Sequence, residues 1–180
     1  MIGDPLDLKT DMGPLCTDRQ RQFIARTVSD SVAAGAELIC GGDIIDRPGY
    51  YFEPTILDCS MHTGAPSVRH ELFGPVLSVL EFDTEDEALE LANQTPYGLA
   101  AGVFTTNLSR AHRMSSKIKA GVVWVNTYRN VSPMVPFGGF GWSGHGREGG
   151  IESVLAYMST KLVWLNTSDK AFANPFERRG

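Results

Sequence analysis

The chain is poor in the residues that secreted, metal-bound or nucleic-acid-binding proteins depend on. It has three cysteines, Cys16, Cys40 and Cys59, far apart and without a CxxC pair. That spacing argues against a disulfide framework and a zinc–cysteine site, and points to a reducing, cytoplasmic compartment. No two of the four histidines, His62, His70, His112 and His145, stand three to five residues apart. A histidine metal site therefore has no support, and no metal is expected. Asp4, Asp7 and Asp11 lack the spacing and central glycine of a calcium-binding loop. No apolar run approaches the ~20 residues of a membrane helix. The opening Met1-Ile2-Gly3-Asp4-Pro5 lacks the basic-then-apolar pattern of a secretory leader. Positive charge is also short: 16 Lys and Arg face 21 Asp and Glu, a net charge of −5. Neither nucleic acid nor a membrane surface is an expected partner.

What remains is an ordinary globular composition, 180 residues with 42% hydrophobic and 21% charged. A chain of that size can bury one real core. Thr17 and Gln20 have the spacing of a capping box, so a helix should follow. Ile24, Val28 and Val32 lie at i, i+4 and i+8 with Phe23 beside them, and Gly35 ends the helix. Leu38 to Cys40 reads as a short strand. Tyr50 to Leu57 is a weaker extended stretch interrupted by Pro54. Val76 to Phe82 is apolar on both faces, as in a strand covered on both sides. Thr84 and Glu87 open a helix that ends before Pro96. Ala100 to Thr105 is a strand. Asn107 can cap the next helix, Gly121 closes it, and Val122 to Val125 is an apolar strand ending at Asn126. The β-α-β-α-β order predicts a largely parallel sheet with helical crossovers.

Ligands collect beyond the carboxyl ends of such strands, where Asn126 stands. The segment from Thr127 to Gly150 follows, with seven glycines in the thirteen residues from Gly138. Phe137, Phe140 and Trp142 are interleaved with them, which favours an ordered pocket loop over a disordered linker. Ile151 to Ala156 could finish a helix, and Tyr157 to Leu165 reads as a terminal strand. Gly144-x-Gly146-x-x-Gly149 and the overlapping Gly139-x-Gly141-x-x-Gly144 match the dinucleotide fingerprint. Neither follows directly on a strand, which the fingerprint requires. Gly141-Trp142-Ser143-Gly144-His145 fails the nucleophile-elbow pattern at its fifth position.

His70 to Pro75 is more telling. Pro75 fixes its own φ and pushes Gly74 towards extended geometry, so Glu71 and Phe73 should be held in place. A fixed carboxylate can accept two ribose hydroxyls, and a fixed ring can pack on a flat heterocycle. A solvated glutamate and a core phenylalanine are the plainer alternative.

Several segments, in matching order, resemble the aldehyde dehydrogenase superfamily. Gly3-Asp4-Pro5 with Gly13-Pro14, Gly35-Ala36 with Gly41-Gly42, and Glu71-Leu72-Phe73-Gly74-Pro75 come first. Asn93 with Tyr97-Gly98-Leu99, Gly121-Val122-Val123-Trp124-Val125-Asn126, Pro136-Phe137-Gly138-Gly139 and Ser143-Gly144-His145-Gly146-Arg147-Glu148 complete the series. The resemblance implies oxidation of an aldehyde to an acid with NAD or NADP. In that chemistry a cysteine thiolate adds to the aldehyde, hydride leaves to the nicotinamide, and water hydrolyses the thioester. It implies a three-layer α/β/α catalytic-domain fold and a C-terminal arm strand. Residues 1–156 would be part of the catalytic domain and 157–180 an oligomerisation arm and tail.

By the same resemblance the chain is the carboxyl-terminal part of such an enzyme. The nucleophilic cysteine would lie upstream. Cys16, Cys40 and Cys59 would be small buried scaffold residues. Glu71 would bind the nicotinamide ribose and Phe73 would pack near the nicotinamide. Asn126 and Phe137 would line the aldehyde pocket. Glu148 would be an outer acid that orients water or relays a proton. An ion pair with Arg147 or a first-turn helix carboxylate is the plainer reading of Glu148. The sequence departs from the family at His70, Gly141 and Trp142. The expected partners are a small aldehyde and a second copy of the chain, in a dimer or tetramer formed through Tyr157 to Leu165. A non-catalytic binding or assembly module of the same fold is the rival reading.

Overall fold

The computed structural model describes residues 1–170, so the last part of the proposed tail, 171–180, lies outside the described residues. Helix α1, Asp18–Ala33, begins where expected: Thr17 Oγ1 accepts the Gln20 N–H at 3.2 Å. Its buried face runs through Ile24, Thr27, Val28 and Ser31, whereas Val32 is 40% exposed. The apolar stripe is therefore shorter than its spacing predicts, and two hydroxyls complete the face. Both are satisfied. Thr27 donates to the Phe23 carbonyl, and Ser31 donates to the Thr27 carbonyl while accepting the Ser67 N–H. Gly35, at φ +104°, turns the chain out of the helix.

Strands β1 (Glu37–Cys40), β2 (Thr55–Asp58) and β3 (Val76–Val79) form one sheet in that order. β1 runs antiparallel to β2, with a register shift between Leu38 and Cys40. β2 and β3 are parallel, pairing Thr55 with Val76 through Asp58 with Val79. The short helix α2, Pro66–Arg69, links β2 to β3. Ile24 and Val28 of α1 pack with Phe52, Leu57, Cys59, Ala65 and Leu72 to make the main core.

Helix α3, Glu85–Asn93, leads to β4, Ala100–Val103; helix α4, Leu108–Lys117, leads to β5, Val122–Val125. Thr84 caps α3 and Asn107 caps α4, as their spacing predicts. β4 and β5 are parallel, from Ala100 opposite Val122 to Val103 opposite Val125. Asn93 stitches this layer together: its amide donates to the Lys117 carbonyl and accepts the Lys119 N–H.

Four expectations need correction. The strands at Val76, Ala100 and Val122 do not share one sheet among the described residues, because β3 pairs with β2 while β4 and β5 pair with each other. Strand–helix alternation predicts that crossovers are parallel, but not which strands become neighbours. Nor is β3 covered on both faces, since Leu77 and Val79 are 58% and 40% exposed. Cys16 and Cys40 are exposed and only Cys59 is buried. β1, which carries Cys40, is exposed at all four residues, as a strand with one pairing edge and no cover must be. Finally, Tyr157 to Leu165 forms no strand. A strand needs a partner backbone, and the only backbone hydrogen bonds made here among the described residues are the helical-type ones from Tyr157 and Met158 to Val154 and Leu155. The short helix before it, α5 at Glu152–Leu155, is present as expected.

Between α3 and α4, Arg113 grips Glu85 with two hydrogen bonds of 2.8 and 2.7 Å, and Arg110 approaches to 3.5 Å. The Arg113 hydrogen bond holds the Glu85 carboxyl below its ordinary value of 4.5. A carboxyl lowered in the folded state stabilises it fully above the unfolded value, and this contribution is lost as pH falls through the folded value. Arg113→Ala should therefore lower the urea midpoint near pH 7 and leave it unchanged well below 4.5, where Glu85 is protonated in both proteins. An equal difference at both pH values would refute this role.

Candidate functional site

The first group of candidate residues sits on the loop after α2. Leu72 is buried at 7% and anchors the loop in the main core. Gly74 lies so close to α1 that a Cβ there would come within 2.2 Å of Ile24 Cδ1. The Pro75 carbonyl accepts the Thr55 N–H at 2.8 Å, joining the loop to β2. Between these anchors Phe73 adopts φ +54°, a left-handed conformation that a bulky residue takes at a cost of roughly 1–2 kcal/mol. The result is that Phe73 projects 80% exposed, and Glu71 on the other side of Leu72 is also exposed. Phe73 is thus not a core residue, which removes one of the plainer readings. Strain of this kind persists where surrounding contacts over-determine it.

One of those contacts was not legible in the sequence. Gln20 was expected to close the capping box of α1. Its backbone does so, but its side-chain amide donates to the Leu72 carbonyl, next to the strained residue. The spacing to Thr17 explained Gln20 completely, so nothing in the pattern indicated a second partner 52 residues away.

The second group stands beyond the carboxyl ends of β4 and β5. Asn126 has φ +52°. Its carboxamide accepts the Thr105 N–H at 2.8 Å and donates to the Thr105 carbonyl at 2.9 Å, tying the two strand ends together. The chain then makes a tight turn. Trp124 Nε1 donates to the Asn130 carbonyl at 2.8 Å, and Asn130 donates to Thr127 Oγ1 at 2.9 Å. The Trp124 and Tyr128 rings meet edge to face at 5.7 Å.

Phe137 and Glu148 are brought together directly. Each donates its N–H to the other's carbonyl at 2.7 Å, closing the glycine-rich segment into an antiparallel bridge. Within it, Gly141–Ser143 forms a 3₁₀ turn. The segment docks on the Pro96–Gly98 turn: the Phe140 and Trp142 N–H groups donate to the Gly98 and Pro96 carbonyls, and Ser143 Oγ accepts the Gly98 N–H. Phe137, Ser143, Arg147 and Glu148 line a cleft of about 350 Å³ there. The dinucleotide fingerprint lacks its strand and helix, since the nearest preceding strand ends at Val125 and α5 begins at Glu152.

Arg147 does not pair with Glu148. Its Nη1 donates to the Gly139 and Gly146 carbonyls, both at 2.8 Å, and its guanidinium lies 4.8 Å from the Phe140 ring centre. Glu148 is also not in a first helical turn. Among the described residues its carboxylate has no hydrogen bond, and it is exposed. Both plainer readings of Glu148 therefore fail. No described hydrogen bond joins the Glu71–Phe73 loop to the group formed by Asn126, Phe137 and Glu148.

The aldehyde dehydrogenase family model matches residues 1–163. The chain belongs to the aldehyde dehydrogenase family. It is 58% identical over 178 residues to (Z)-2-((N-methylformamido)methylene)-5-hydroxybutyrolactone dehydrogenase of Acinetobacter baylyi, covering 99% of this chain and 36% of that protein. It is 46% identical over 170 residues to a betaine aldehyde dehydrogenase of Brucella anthropi, covering 91% of this chain and 34% of that protein. The P. syringae AldA indole-3-acetaldehyde dehydrogenase, solved in complex with NAD+ and IAA, superposes with a TM-score of 0.85 at 42% identity, over 91% of this chain and 33% of that one. This aldehyde dehydrogenase chain thus spans about a third of the length of the relatives it matches.

Proposed function

We propose that this chain is the carboxyl-terminal part of an NAD(P)-dependent aldehyde dehydrogenase that oxidises an aldehyde to a carboxylic acid. The observation that carries the reading is the loop at Glu71–Phe73. It presents an exposed carboxylate and an exposed ring two residues apart, on a backbone anchored at Leu72 and Gly74. That arrangement fits a nicotinamide nucleoside: the carboxylate can accept both ribose hydroxyls, and the ring can pack near the heterocycle. When bound, the nicotinamide supplies a hydride acceptor. Glu71 and Phe73 fix where the acceptor's ring stands, Asn126 and Phe137 form the wall on the aldehyde side, and Glu148 orients water or relays a proton. The free Glu148 carboxylate beside the cleft supports that last role.

Assembly belongs to the same reading. Tyr157, Leu162 and Trp164 are 92%, 83% and 86% exposed. Beyond Met158 this segment makes no backbone hydrogen bond among the described residues, and an unpaired apolar stretch is a template for pairing with another sheet. We assign it to a neighbouring subunit in a dimer or tetramer, with strand formation on assembly.

The parent enzyme should form reduced nicotinamide from an aldehyde, and the 180-residue chain alone should form none. Neither exposed thiol, Cys16 or Cys40, lines the Phe137–Glu148 cleft, and Cys40, which borders a cavity with Gly74 and Pro75, lies on β1 and not on the loop that carries Glu71 and Phe73. Without a thiolate at the site no hydride-donating adduct can form. Activity of the purified chain that disappears on Cys→Ala substitution would refute the assignment, and an inactive parent enzyme would favour the assembly-module reading.

A further inference from the structure

Three non-glycine residues among the described ones have left-handed backbone: Phe73, Asn126 and Arg129, at φ +54°, +52° and +57°. The first two already belong to the proposed site. The third stands three residues beyond Asn126, in the turn pinned by Trp124, Asn130 and the Asn126–Thr105 clasp. A long side chain is uncommon in this region, which Asn or Gly would occupy at lower cost. A merely solvated surface arginine does not need it.

The charge pattern singles out the same residue. Between Lys119 and Arg147, Arg129 is the one Asp, Glu, Lys or Arg side chain. Among the described residues its guanidinium makes neither a hydrogen bond nor an ion pair, and its neighbours Tyr128, Val131 and Met134 are 69%, 64% and 81% exposed. The turn thus carries one unpaired cation among exposed apolar groups, on the side of a parallel strand pair where ligands collect.

We propose that Arg129 is a specificity-determining residue that selects aldehydes carrying a carboxylate on an apolar body. The inference rests on the aldehyde dehydrogenase reading above. A guanidinium matches a carboxylate with two parallel N–H donors, which a point charge does not. The pinned turn fixes the backbone from which the guanidinium extends, so a carboxylate bound there limits the distance at which the aldehyde end reaches the site.

The test uses the parent enzyme with 4-oxobutanoate, 6-oxohexanoate and their methyl esters. The unmodified enzyme should prefer at least one acid to its ester. Arg129→Asn keeps a residue suited to the left-handed turn and removes the cation. It should lower kcat/KM for the preferred acid by roughly 10- to 100-fold, mostly through KM, while the esters change less than about twofold. Arg129→Lys should restore part of the loss. Equal losses for acid and ester, or no preference in the unmodified enzyme, would overturn the proposal while leaving the family reaction intact. Absence of reduced nicotinamide with all aldehydes, simple alkanals included, would overturn the functional reading itself and this inference with it.

Discussion

Glu71→Gln in the parent enzyme is expected to slow hydride transfer by about 10- to 100-fold, a loss of roughly 1–3 kcal/mol of transition-state stabilisation. A carboxylate accepts charge-assisted bonds from both ribose hydroxyls, whereas an amide offers one weaker acceptor and turns an N–H towards the other hydroxyl. The loop geometry explains why the change should act on positioning. Leu72 is buried, Gly74 is pressed on Ile24, and the Leu72 carbonyl is held by Gln20, so the backbone cannot shift to compensate. The nicotinamide should then sample poses in which its ring is misaligned. Single-turnover measurement separates this from aldehyde binding, which should change little. An unchanged hydride-transfer rate would remove Glu71 from the site.

The local elements of this fold are written in the chain with little ambiguity. Thr17, Thr84 and Asn107 each cap a helix because a side-chain oxygen placed three residues before an orphan N–H satisfies it wherever the helix goes. The apolar runs at Val76, Ala100 and Val122 become strands for equally local reasons. What could not be read is which strand stands beside which. The pairing of β3 with β2 depends on Thr55 to Asp58, which follow Pro54, the residue that interrupts the weak extended stretch from Tyr50 to Leu57. Likewise neither the cover expected on β3 nor the strand expected at Tyr157 to Leu165 forms among the described residues, because an apolar run does not itself specify what packs on it or pairs with it.

The candidate site divides the same way. Family motifs located Glu71, Phe73, Asn126, Phe137 and Glu148, and proline geometry indicated that the first two are held. The agents that hold them were hidden. Gln20 had a sufficient local explanation, and Thr105 is an ordinary strand-end residue until Asn126 folds back on it. Arg147 next to Glu148 suggested an ion pair, but adjacent residues on an extended segment point to opposite sides. The guanidinium instead donates to the neighbouring Gly146 carbonyl and to that of Gly139, which the closed segment brings within reach.

Gly121 shows the consequence most sharply, and Gly121→Ala is expected to be the most destabilising single methyl addition in the second half of the chain. Its position after α4 suggests a helix terminator, yet the helix is capped at Ile118 and Gly121 itself already opens onto β5. The true constraint comes from the glycine-rich segment. A Cβ on Gly121 would stand 1.6 Å from the Gly138 carbonyl oxygen. The obstacle is backbone, held by the Phe137–Glu148 bridge on one side and by the Phe140 N–H on the Gly98 carbonyl on the other. That carbonyl also accepts the Gly121 N–H, so moving either segment breaks hydrogen bonds at both. Overpacking against a yielding side chain costs about 1–3 kcal/mol, and a fixed carbonyl puts this case at about 3 kcal/mol or more. The control is Gly146→Ala in the same segment, where an added Cβ meets nothing within 4 Å and the backbone is not left-handed. That substitution should leave stability within about 0.5 kcal/mol, since the alanine is unstrained and stiffens the unfolded chain. Chemical unfolding of the two variants beside the unmodified parent enzyme measures the contrast. In Gly121→Ala the cleft holding Phe137 and Glu148 should open as well, so aldehyde turnover should fall below what the surviving folded fraction would give. Equal unfolding midpoints for the two variants would show that the glycine-rich segment does not dock against Gly121 and the Pro96–Gly98 turn as described.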